Sequence, residues 1–372
     1  MAMALVPKRL RSLGHKVKSL RTIPQRLRRT FLTRAIPSRT KRLIVVLTPG
    51  FENPSGGVLS IAALYRESAA LRQLHRAKVV LCTVPGEPHL FKYTWFDNRN
   101  YMLDLEAVLK RARHLDYLLL HIPEYAVNPK YAVNDFTKWL TSVSQTLLRN
   151  IREIHLNVLL QNIDLLQGQN LAAFTRFGKV TCTTAHEAYS NSATREALGV
   201  PLHRLSVCIG PEMYSRSGYQ DKEPLLIVSP DNHPLKQQVL AKISQALPEL
   251  KIQVIQDISF EDYKKLVRRA KWSLTFGEGL DFYLIEQVFS GGVAFAVFNE
   301  RFFTPAFAHL ETVYPSWEIL MERMVVDLQR LDEPLAYTHC WQEAYDLVSE
   351  IYTTEHFREN LRMFYRGEYT FP

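Results

Sequence analysis

Short runs of aliphatic and β-branched residues recur along the chain, and each is followed by a loop and an amphipathic segment. In the first half, such runs predict buried strands at 42–47, 78–84, 116–122, 155–161 and 179–184. Apolar positions at helical spacing predict helices between them at about 58–74, 104–113 and 135–148. Near-continuous apolar strands that alternate with helices indicate parallel sheets covered on both faces.

A polar, glycine-containing stretch at 210–221 interrupts this alternation, and the same pattern restarts after it. The second half contains predicted strands at 224–229, 251–255, 272–276 and 293–298, and predicted helices at 234–247, 259–270, 281–289 and 341–364. We therefore predict an α/β protein with two Rossmann-like lobes that face each other across a cleft. The predicted domains are a basic arm at 1–41, lobes at 42–212 and 222–340, and a C-terminal helix and tail at 341–372.

The positive charge of the chain is concentrated at its N-terminus. The formal net charge is +9, but residues 1–43 hold 13 Lys or Arg and no acid, which leaves 33 basic against 37 acidic residues elsewhere. A groove that binds nucleic acid needs a surplus of positive charge on the folded domains. We therefore predict no nucleic-acid partner.

Residues 1–41 allow three interpretations. Leu10, Leu13, Val17 and Leu20 fit one face of a helix whose other positions carry Lys and Arg, a pattern typical of segments on anionic membrane surfaces. A solvated, disordered leader and an Arg-rich targeting segment are the alternatives.

No apolar run approaches the ~20 residues that span a bilayer. The four cysteines are scattered without C-x-x-C spacing, which is typical of reduced thiols. We predict a cytoplasmic protein that is peripheral at the membrane if the arm binds there.

The segment 272–300 holds the richest candidate chemistry. It places Glu278 between Gly277 and Gly279 in a loop after a predicted strand, and Glu286 follows within the next predicted helix. Glycines let backbone N–H groups approach a ligand, and the N-terminus of a helix favours an anion such as a diphosphate. A carboxylate further along that helix can accept hydrogen bonds from both hydroxyls of a ribose. Two surface glutamates on an ordinary βαβ unit are the alternative interpretation.

Glu278 and Glu286, together with the small-residue turn at 290–293, resemble the E-x7-E motif of retaining GT-B-fold glycosyltransferases, particularly glycosyltransferase family four. The resemblance implies that Glu286 holds the donor ribose and that Glu278 is a catalytic residue facing the donor sugar. It also implies donor contacts from Gly277, Gly279 and Leu280. The family often has E-G-F-G in this loop, whereas this chain has Asp281 at the fourth position.

The same resemblance implies further donor-binding residues in other loops. Lys236 matches one member of a basic pair that binds the donor diphosphate in the family, but the usual arginine is absent, and Asn232 stands nearby. Gly56 and Gly57 close a loop where the family also has glycine. A helix-surface lysine and a generic strand–helix turn are the respective alternatives.

His121 ends a predicted strand. A histidine at the carboxyl end of a parallel strand can hydrogen-bond the transferred sugar or the acceptor hydroxyl, so we predict it as a second catalytic residue. A purely structural histidine is the alternative. Asn162 and His186 also fall near strand ends and are weaker candidates for lining the cleft.

Taken with the resemblance, these residues imply a retaining glycosyltransferase of hexosyltransferase type, as in polysaccharide biosynthesis. It would move a sugar from a nucleotide-sugar donor to a glycan or lipid-linked acceptor. Because no Asp-x-Asp element is present, and helix N-termini with a cation can hold a diphosphate, we expect no metal or other cofactor. A nucleotide-sugar epimerase, a phosphorylase or a non-catalytic binding protein of the same fold are the alternatives.

Overall fold

The computed structural model describes residues 33, 36–52, 55–88, 90–94, 100–132 and 135–372. Most of the predicted basic arm, including the amphipathic pattern at positions 10–20, lies outside the described residues. Among the described helices, none is long and apolar enough to cross a membrane.

The first lobe is built on a six-stranded parallel sheet with the strand order β2-β1-β3-β4-β5-β6. The strands are β1 Arg42–Thr48, β2 Lys78–Thr83, β3 Tyr117–Pro123, β4 Glu153–Leu160, β5 Lys179–Thr184 and β6 Leu202–Arg204. The α-helices are α1 Gly56–Ala70, α2 Arg72–His75, α3 Leu105–Arg111, α4 Glu124–Val127, α5 Phe136–Ser144 and α6 Ser192–Leu198. Two 3₁₀ helices, Ile163–Leu166 and Leu171–Phe177, lie between β4 and β5.

The second lobe is built on a five-stranded parallel sheet with the strand order β11-β10-β9-β7-β8. The strands are β7 Glu223–Val228, β8 Lys251–Val254, β9 Ala270–Leu274, β10 Val293–Val297 and β11 Val313–Tyr314. The α-helices that follow β7 in sequence are α7 Lys236–Ala246, α8 Phe260–Arg269, α9 Phe282–Phe289, α10 Trp317–Leu331, α11 Pro334–Ile351 and α12 Thr354–Arg366. Three 3₁₀ helices are Pro211–Met213, Tyr219–Asp221 and Pro305–His309. The prediction of two Rossmann-like α/β lobes is confirmed.

The predicted long C-terminal helix is present, but its predicted extent as one segment at 341–364 is wrong. The long helix α11 begins earlier, with Pro334 in its first turn, where the missing N–H of proline costs no helical hydrogen bond. The chain then leaves the helix, and Thr353 caps α12 by accepting a hydrogen bond from the backbone N–H of His356. Two helices therefore replace the predicted one.

Helix α12 crosses back to the first lobe. Phe357, Leu361 and Phe364 are buried in the same apolar cluster as alternate residues of β1. The chain ends by pairing Phe371 with Leu202 at the edge of the first sheet. The last helix therefore belongs structurally to the first lobe, although the second lobe precedes it in sequence.

A buried polar network joins the first sheet to α12. His155 Nε2 donates to Thr181 Oγ1 at 2.8 Å. Thr181 in turn donates to Asn157 Oδ1 at 3.0 Å, and Asn157 Nδ2 donates to His121 Nδ1 at 2.9 Å. His121 Nε2 then lies 3.3 Å from the hydroxyl of Tyr365 in α12. Each buried polar side chain thus has a partner, which burial requires.

The two lobes share one continuous apolar core. Val45 and Leu120 of the first sheet belong to the same buried cluster as Leu284 and Val288 of α9. Burying a Leu or Val side chain stabilises the fold by about 2 kcal/mol. The lobes are therefore packed against each other, and α9 is one of the elements that join them.

Candidate functional site

The loops after the central strands of both sheets open into one cleft of about 950 Å³. The strand order reverses between β1 and β3 in the first sheet and between β7 and β9 in the second. Open parallel sheets bind ligands at such reversal points, beyond the carboxyl ends of the strands. The volume lies within the ~300–1,000 Å³ that small-molecule sites occupy.

Six acidic residues line the cleft. The first lobe contributes Glu124, and the second lobe contributes Asp231, Asp257, Glu278, Asp281 and Glu286. Among the described residues that line the cleft there is no Lys or Arg. The lining is therefore rich in acceptors and poor in permanent positive charge.

Glu278 bridges the two lobes. Its Oε1 accepts a hydrogen bond from Asn162 Nδ2 at 2.6 Å, and its Oε2 lies 3.9 Å from His186 Nε2. Burial raises the pKa of Glu278 to about 8, and the neighbouring Asp281 contributes to this rise. Burial also lowers the pKa of His186 to about 4, so the imidazole is neutral at pH 7. Asn162 and His186, the weaker sequence candidates, thus do line the cleft beside Glu278.

Glu286 lies in the wall of the cleft, within α9. It is 1% exposed, and its Oε1 accepts a hydrogen bond of 2.5 Å from the hydroxyl of Tyr214, in the segment between the lobes. Burial raises the pKa of Glu286 to about 7. Sequence analysis did not identify Tyr214, because the linker carries no motif.

Asp281, the departure from the family pattern, caps α9. Its Oδ1 accepts from the backbone N–H of Leu284 at 3.1 Å, and its Oδ2 accepts from the hydroxyl of Thr275 at 2.5 Å. Burial raises the pKa of Asp281 to about 7. An aspartate at this position is a favoured N-cap, which gives a structural reason for its presence.

Glu124 enters the cleft from the opposite lobe, at the start of α4. It is 3% exposed, and its Oε1 accepts from the backbone N–H of Asn162 at 3.1 Å. Its Oε2 is buried without a hydrogen-bond partner, and burial raises its pKa to about 7. An acid directly after the apolar strand β3 was the available sequence signal, but sequence analysis did not select it.

Three of the predicted glycines line the cleft, and each has a neighbouring side chain close to its Cα. A Cβ at Gly56 would lie 2.8 Å from the ring of Phe282 across the cleft, and one at Gly57 would lie 2.8 Å from Gln161 Oε1. At Gly277 it would lie 2.8 Å from Asp231 Oδ2. These glycines let other parts of the protein approach, so their small size needs no ligand to explain it.

Lys236 does not line the cleft, contrary to the prediction. Its ammonium donates to the backbone carbonyls of Ser229 at 2.6 Å and Asp231 at 2.9 Å. The side chain thus holds the loop after β7 in place. Asn232 in the same loop is not part of the lining.

Two other predicted donor contacts also lie elsewhere. Gly279 has φ +87°, which favours glycine, and a Cβ there would overlap the ring of Phe303. Leu280 is 2% exposed and belongs to the apolar core shared by the lobes. Gly279 packs against Phe303 and Leu280 packs in the apolar core, so neither residue lines the cleft.

The prediction that His121 faces the cleft is wrong. It is fully buried, on the face of β3 that packs against α12, with its ring 5.4 Å from that of Phe364. Burial lowers its pKa to about 3. His121 is a structural residue of the polar network, the alternative that sequence analysis left open.

Neither a protein-family model nor a curated protein sequence matches the chain. Solved structures do resemble it. HepE from Anabaena, in complex with UDP and glucose, is 11% identical with a TM-score of 0.52, over 88% of this chain and 100% of that one.

Two further solved structures resemble this chain to a similar degree. An alpha-glucosyltransferase in complex with UDP and a 13-mer DNA is 11% identical with a TM-score of 0.56, covering 87% of this chain and 99% of that one. Sucrose-phosphate synthase from Thermosynechococcus elongatus is 10% identical with a TM-score of 0.55, covering 88% and 99%. At these identities the likeness establishes the fold, which is the two-lobe GT-B fold.

Proposed function

We propose that this protein is a glycosyltransferase that takes a nucleotide-sugar donor in the cleft between its lobes. The observation that carries the proposal is the convergence of Glu278 and Glu286 on one cleft, from a loop and a helix of the second lobe. The similar HepE and alpha-glucosyltransferase structures hold UDP, which supports a nucleotide as the ligand class.

In this proposal the second lobe binds the donor. Glu286 accepts hydrogen bonds from the ribose hydroxyls, which share or replace the bond that Tyr214 now makes. Glu278 faces the sugar. With a pKa of about 8 it is largely protonated at pH 7, so it can both donate to and accept from sugar hydroxyls. Packing of the lobes around the donor excludes water and favours transfer over hydrolysis.

The acceptor enters from the first lobe in this proposal. Phe51 and Tyr131 line the cleft and are 42% and 39% exposed. Exposed aromatic rings suit the apolar face of a sugar, which supports a glycan or lipid-linked acceptor. We do not extend to this chain the DNA bound by the similar alpha-glucosyltransferase, because residues 44–372 hold more acidic than basic residues.

We further propose that hexosyl transfer proceeds with retention, on the basis of the E-x7-E resemblance. The attacking hydroxyl would approach the face from which the phosphate departs, and the departing phosphate would accept its proton. The anomeric configuration of the product, measured by NMR, decides this point: an inverted product would contradict retention and leave transfer itself intact.

A non-catalytic nucleotide-binding protein of the same fold is the second candidate. The absence of Lys and Arg from the described lining favours it, because a transferase has to stabilise the negative charge of its leaving group.

The test is a thermal-shift screen of nucleotide-sugars and free nucleotides, followed by an assay of nucleotide release. A ligand at 100 times its dissociation constant stabilises the fold by about 2.7 kcal/mol. A transferase releases free nucleotide when an acceptor is added. Donor binding without release, over a broad set of acceptors, would favour the non-catalytic candidate. Conversion of the donor without an acceptor would favour an epimerase.

A further inference from the structure

The two oxygens of the Glu278 carboxyl group have different surroundings. Oε1 accepts the hydrogen bond of 2.6 Å from Asn162 Nδ2, which belongs to the first lobe. Among the described residues Oε2 has no hydrogen-bond donor, and His186 Nε2, at 3.9 Å, is beyond hydrogen-bond distance. The Glu278 side chain is 32% exposed and lines the cleft, so Oε2 is the oxygen left for a ligand.

Asn162 is held in one orientation by its place in the chain. It precedes the 3₁₀ helix Ile163–Leu166, and its Oδ1 accepts from the backbone N–H of Asp164 at 2.8 Å. Its own backbone N–H donates to Glu124 Oε1 at 3.1 Å. Because a backbone N–H bonds only to an acceptor, the amide oxygen has to point at Asp164 and the amide NH₂ group at Glu278. Oε1 of Glu278 therefore always meets a donor.

This arrangement determines which oxygen of Glu278 carries a proton. An oxygen that accepts from an NH₂ group needs a free lone pair, so a proton on Glu278 is bound to Oε2. Burial raises the pKa of Glu278 to about 8, whereas the hydrogen bond from Asn162 lowers it by stabilising the carboxylate. At pH 7 Oε2 is therefore mostly a hydroxyl group that can donate into the cleft.

The other ionisable groups that face Glu278 come from both lobes and are Asp281, Asp231, Glu124, His186, Tyr189 and Tyr352. The three acids raise the pKa of Glu278, because a second negative charge nearby disfavours ionisation. The histidine and the two tyrosines are uncharged at pH 7, because burial disfavours their ionised forms. Among these described neighbours, only Asn162 favours the carboxylate of Glu278.

We propose that Asn162 is a positioning residue of the glycosyltransferase proposed above, on which this inference rests: by holding Oε1 of Glu278, it directs Oε2 toward the donor sugar. Oε2 donates a hydrogen bond to a sugar hydroxyl when it is protonated and accepts one when it is not. Asn162 belongs to the first lobe and Glu278 to the second. Recognition of the sugar, as distinct from the nucleotide, therefore depends on a residue of the opposite lobe.

The first experiment measures the titration of Glu278 in the full chain without a ligand. Carbon-13 NMR of protein labelled at the glutamate carboxyl groups records the titration, and the signal that is missing in Glu278→Gln identifies the residue. Asn162→Ser keeps an oxygen that can cap the 3₁₀ helix but is too short to reach Glu278. We expect the pKa of Glu278 to rise in Asn162→Ser, because its carboxylate loses a hydrogen bond.

Asn170→Ser is the matched control. Asn170 caps the 3₁₀ helix Leu171–Phe177 in the same way, and its Oδ1 accepts from the backbone N–H of Ala172 at 2.8 Å. This variant should leave the titration of Glu278 unchanged. Circular dichroism and thermal unfolding check that both variants fold.

The second experiment compares two probes in calorimetric titrations at pH 7: the nucleotide-sugar selected by the thermal-shift screen and the matching free nucleotide. We expect Asn162→Ser to bind the nucleotide-sugar about tenfold more weakly than the wild type, because one hydrogen bond to the sugar is misplaced. The free nucleotide should bind as tightly as it does to the wild type. A variant that merely loosened the cleft would bind both probes more weakly.

Three outcomes would contradict the inference, and they are distinguishable. An unchanged titration of Glu278 in Asn162→Ser overturns the control of its carboxyl group by Asn162. Equal losses for the two probes, or no loss for either, overturn the role toward the sugar and leave the cleft as a nucleotide site. No binding of any nucleotide-sugar counts against the proposed function itself, and the NMR titration still decides whether Asn162 controls Glu278.

Discussion

Replacing Glu286 by Gln tests two effects of the buried carboxyl group separately: its cost in folding stability and its contribution to ligand binding. In the folded protein burial raises the pKa of Glu286 from 4.5 to about 7, a difference that corresponds to about 3 kcal/mol. Between these pH values the folded state binds more protons than the unfolded state, so stability falls as pH rises through this window. Above pH 7, ionisation of buried Glu286 lowers the free energy of unfolding by the full amount of about 3 kcal/mol. Glutamine keeps the shape and can still accept from Tyr214, but it carries no charge to bury.

We therefore expect Glu286→Gln to be more stable than the wild type at pH 8, by about 2–3 kcal/mol, and nearly equal to it at pH 5. At pH 8, binding of the nucleotide-sugar selected by the thermal-shift screen should weaken about tenfold, because a neutral amide forms weaker hydrogen bonds with ribose hydroxyls than a carboxylate does. Urea unfolding at both pH values and calorimetric titration measure the two effects. Glu322→Gln, on the exposed side of α10, is the matched control and should change neither.

The reasoning fails if Glu286→Gln destabilises the protein equally at both pH values, since the buried charge would then not determine the stability of the wild type at pH 8. It also fails if the variant is more stable and binds the nucleotide-sugar as tightly as the wild type. In that case the buried carboxylate would have no role with the ribose.

Three further substitutions or conditions test the architecture around the cleft. Gly279→Ala should lower the free energy of unfolding in urea by about 2–3 kcal/mol, because the position combines φ +87° with a Cβ 2.9 Å from the carbonyl of Val297. The control Gly168→Ala, at φ +73° in open space, should lower it by about 1 kcal/mol. Equal losses in the two variants would contradict the packing argument. Phe364→Ala should cost about 3–5 kcal/mol and loosen α12, as read by thermal unfolding and hydrogen exchange, and a loss below about 1 kcal/mol would show that α12 is not anchored there. The lowered pKa of His121, about 3, predicts that stability falls as pH drops from 6.5 toward 3, because the unfolded state binds the proton first; urea midpoints that stay constant from pH 6.5 to 4 would contradict its burial as a neutral group.

The sheets could be predicted because their central strands are continuous apolar runs. The predicted strand at 179–184 matches β5 residue for residue, and those at 42–47 and 78–84 differ from β1 and β2 by one residue at one end. Helix α8 begins after Ser259, whose hydroxyl accepts from the backbone N–H of Asp262, as the spacing of these residues indicates. Apolar runs and a capping residue, both visible in the local sequence, were therefore enough to predict these elements.

Sequence analysis missed α10, although Ser316 caps it by accepting a hydrogen bond from the backbone N–H of Ile319. Other missed features depend on tertiary contacts. Strands β6 and β11 have only three and two residues, too short to give a period in the sequence. The break between α11 and α12 lies within a stretch whose apolar spacing continues, so the pattern alone does not reveal it. The short edge strands form because they pair with strands that are distant in sequence. Helix α12 packs on the first lobe because its apolar residues are buried against β1.

The candidate site was predictable in its motif and not in its surroundings. Glu278 and Glu286 line one cleft, as expected, because a strand–loop–helix unit places both at the same edge. His121 was misplaced because both faces of β3 are buried, and an apolar run cannot tell which face a helix covers. For Lys236, sequence position does not reveal whether an ammonium binds a ligand or nearby carbonyls.

The most direct test of the central claim is a crystal structure of the protein with a nucleotide-sugar that binds in the thermal-shift screen. The account predicts the nucleotide in the cleft between the lobes, with the ribose hydroxyls on the carboxylate of Glu286 and the sugar facing Glu278. A nucleotide bound outside this cleft, or inside it with the ribose away from Glu286, would contradict the account.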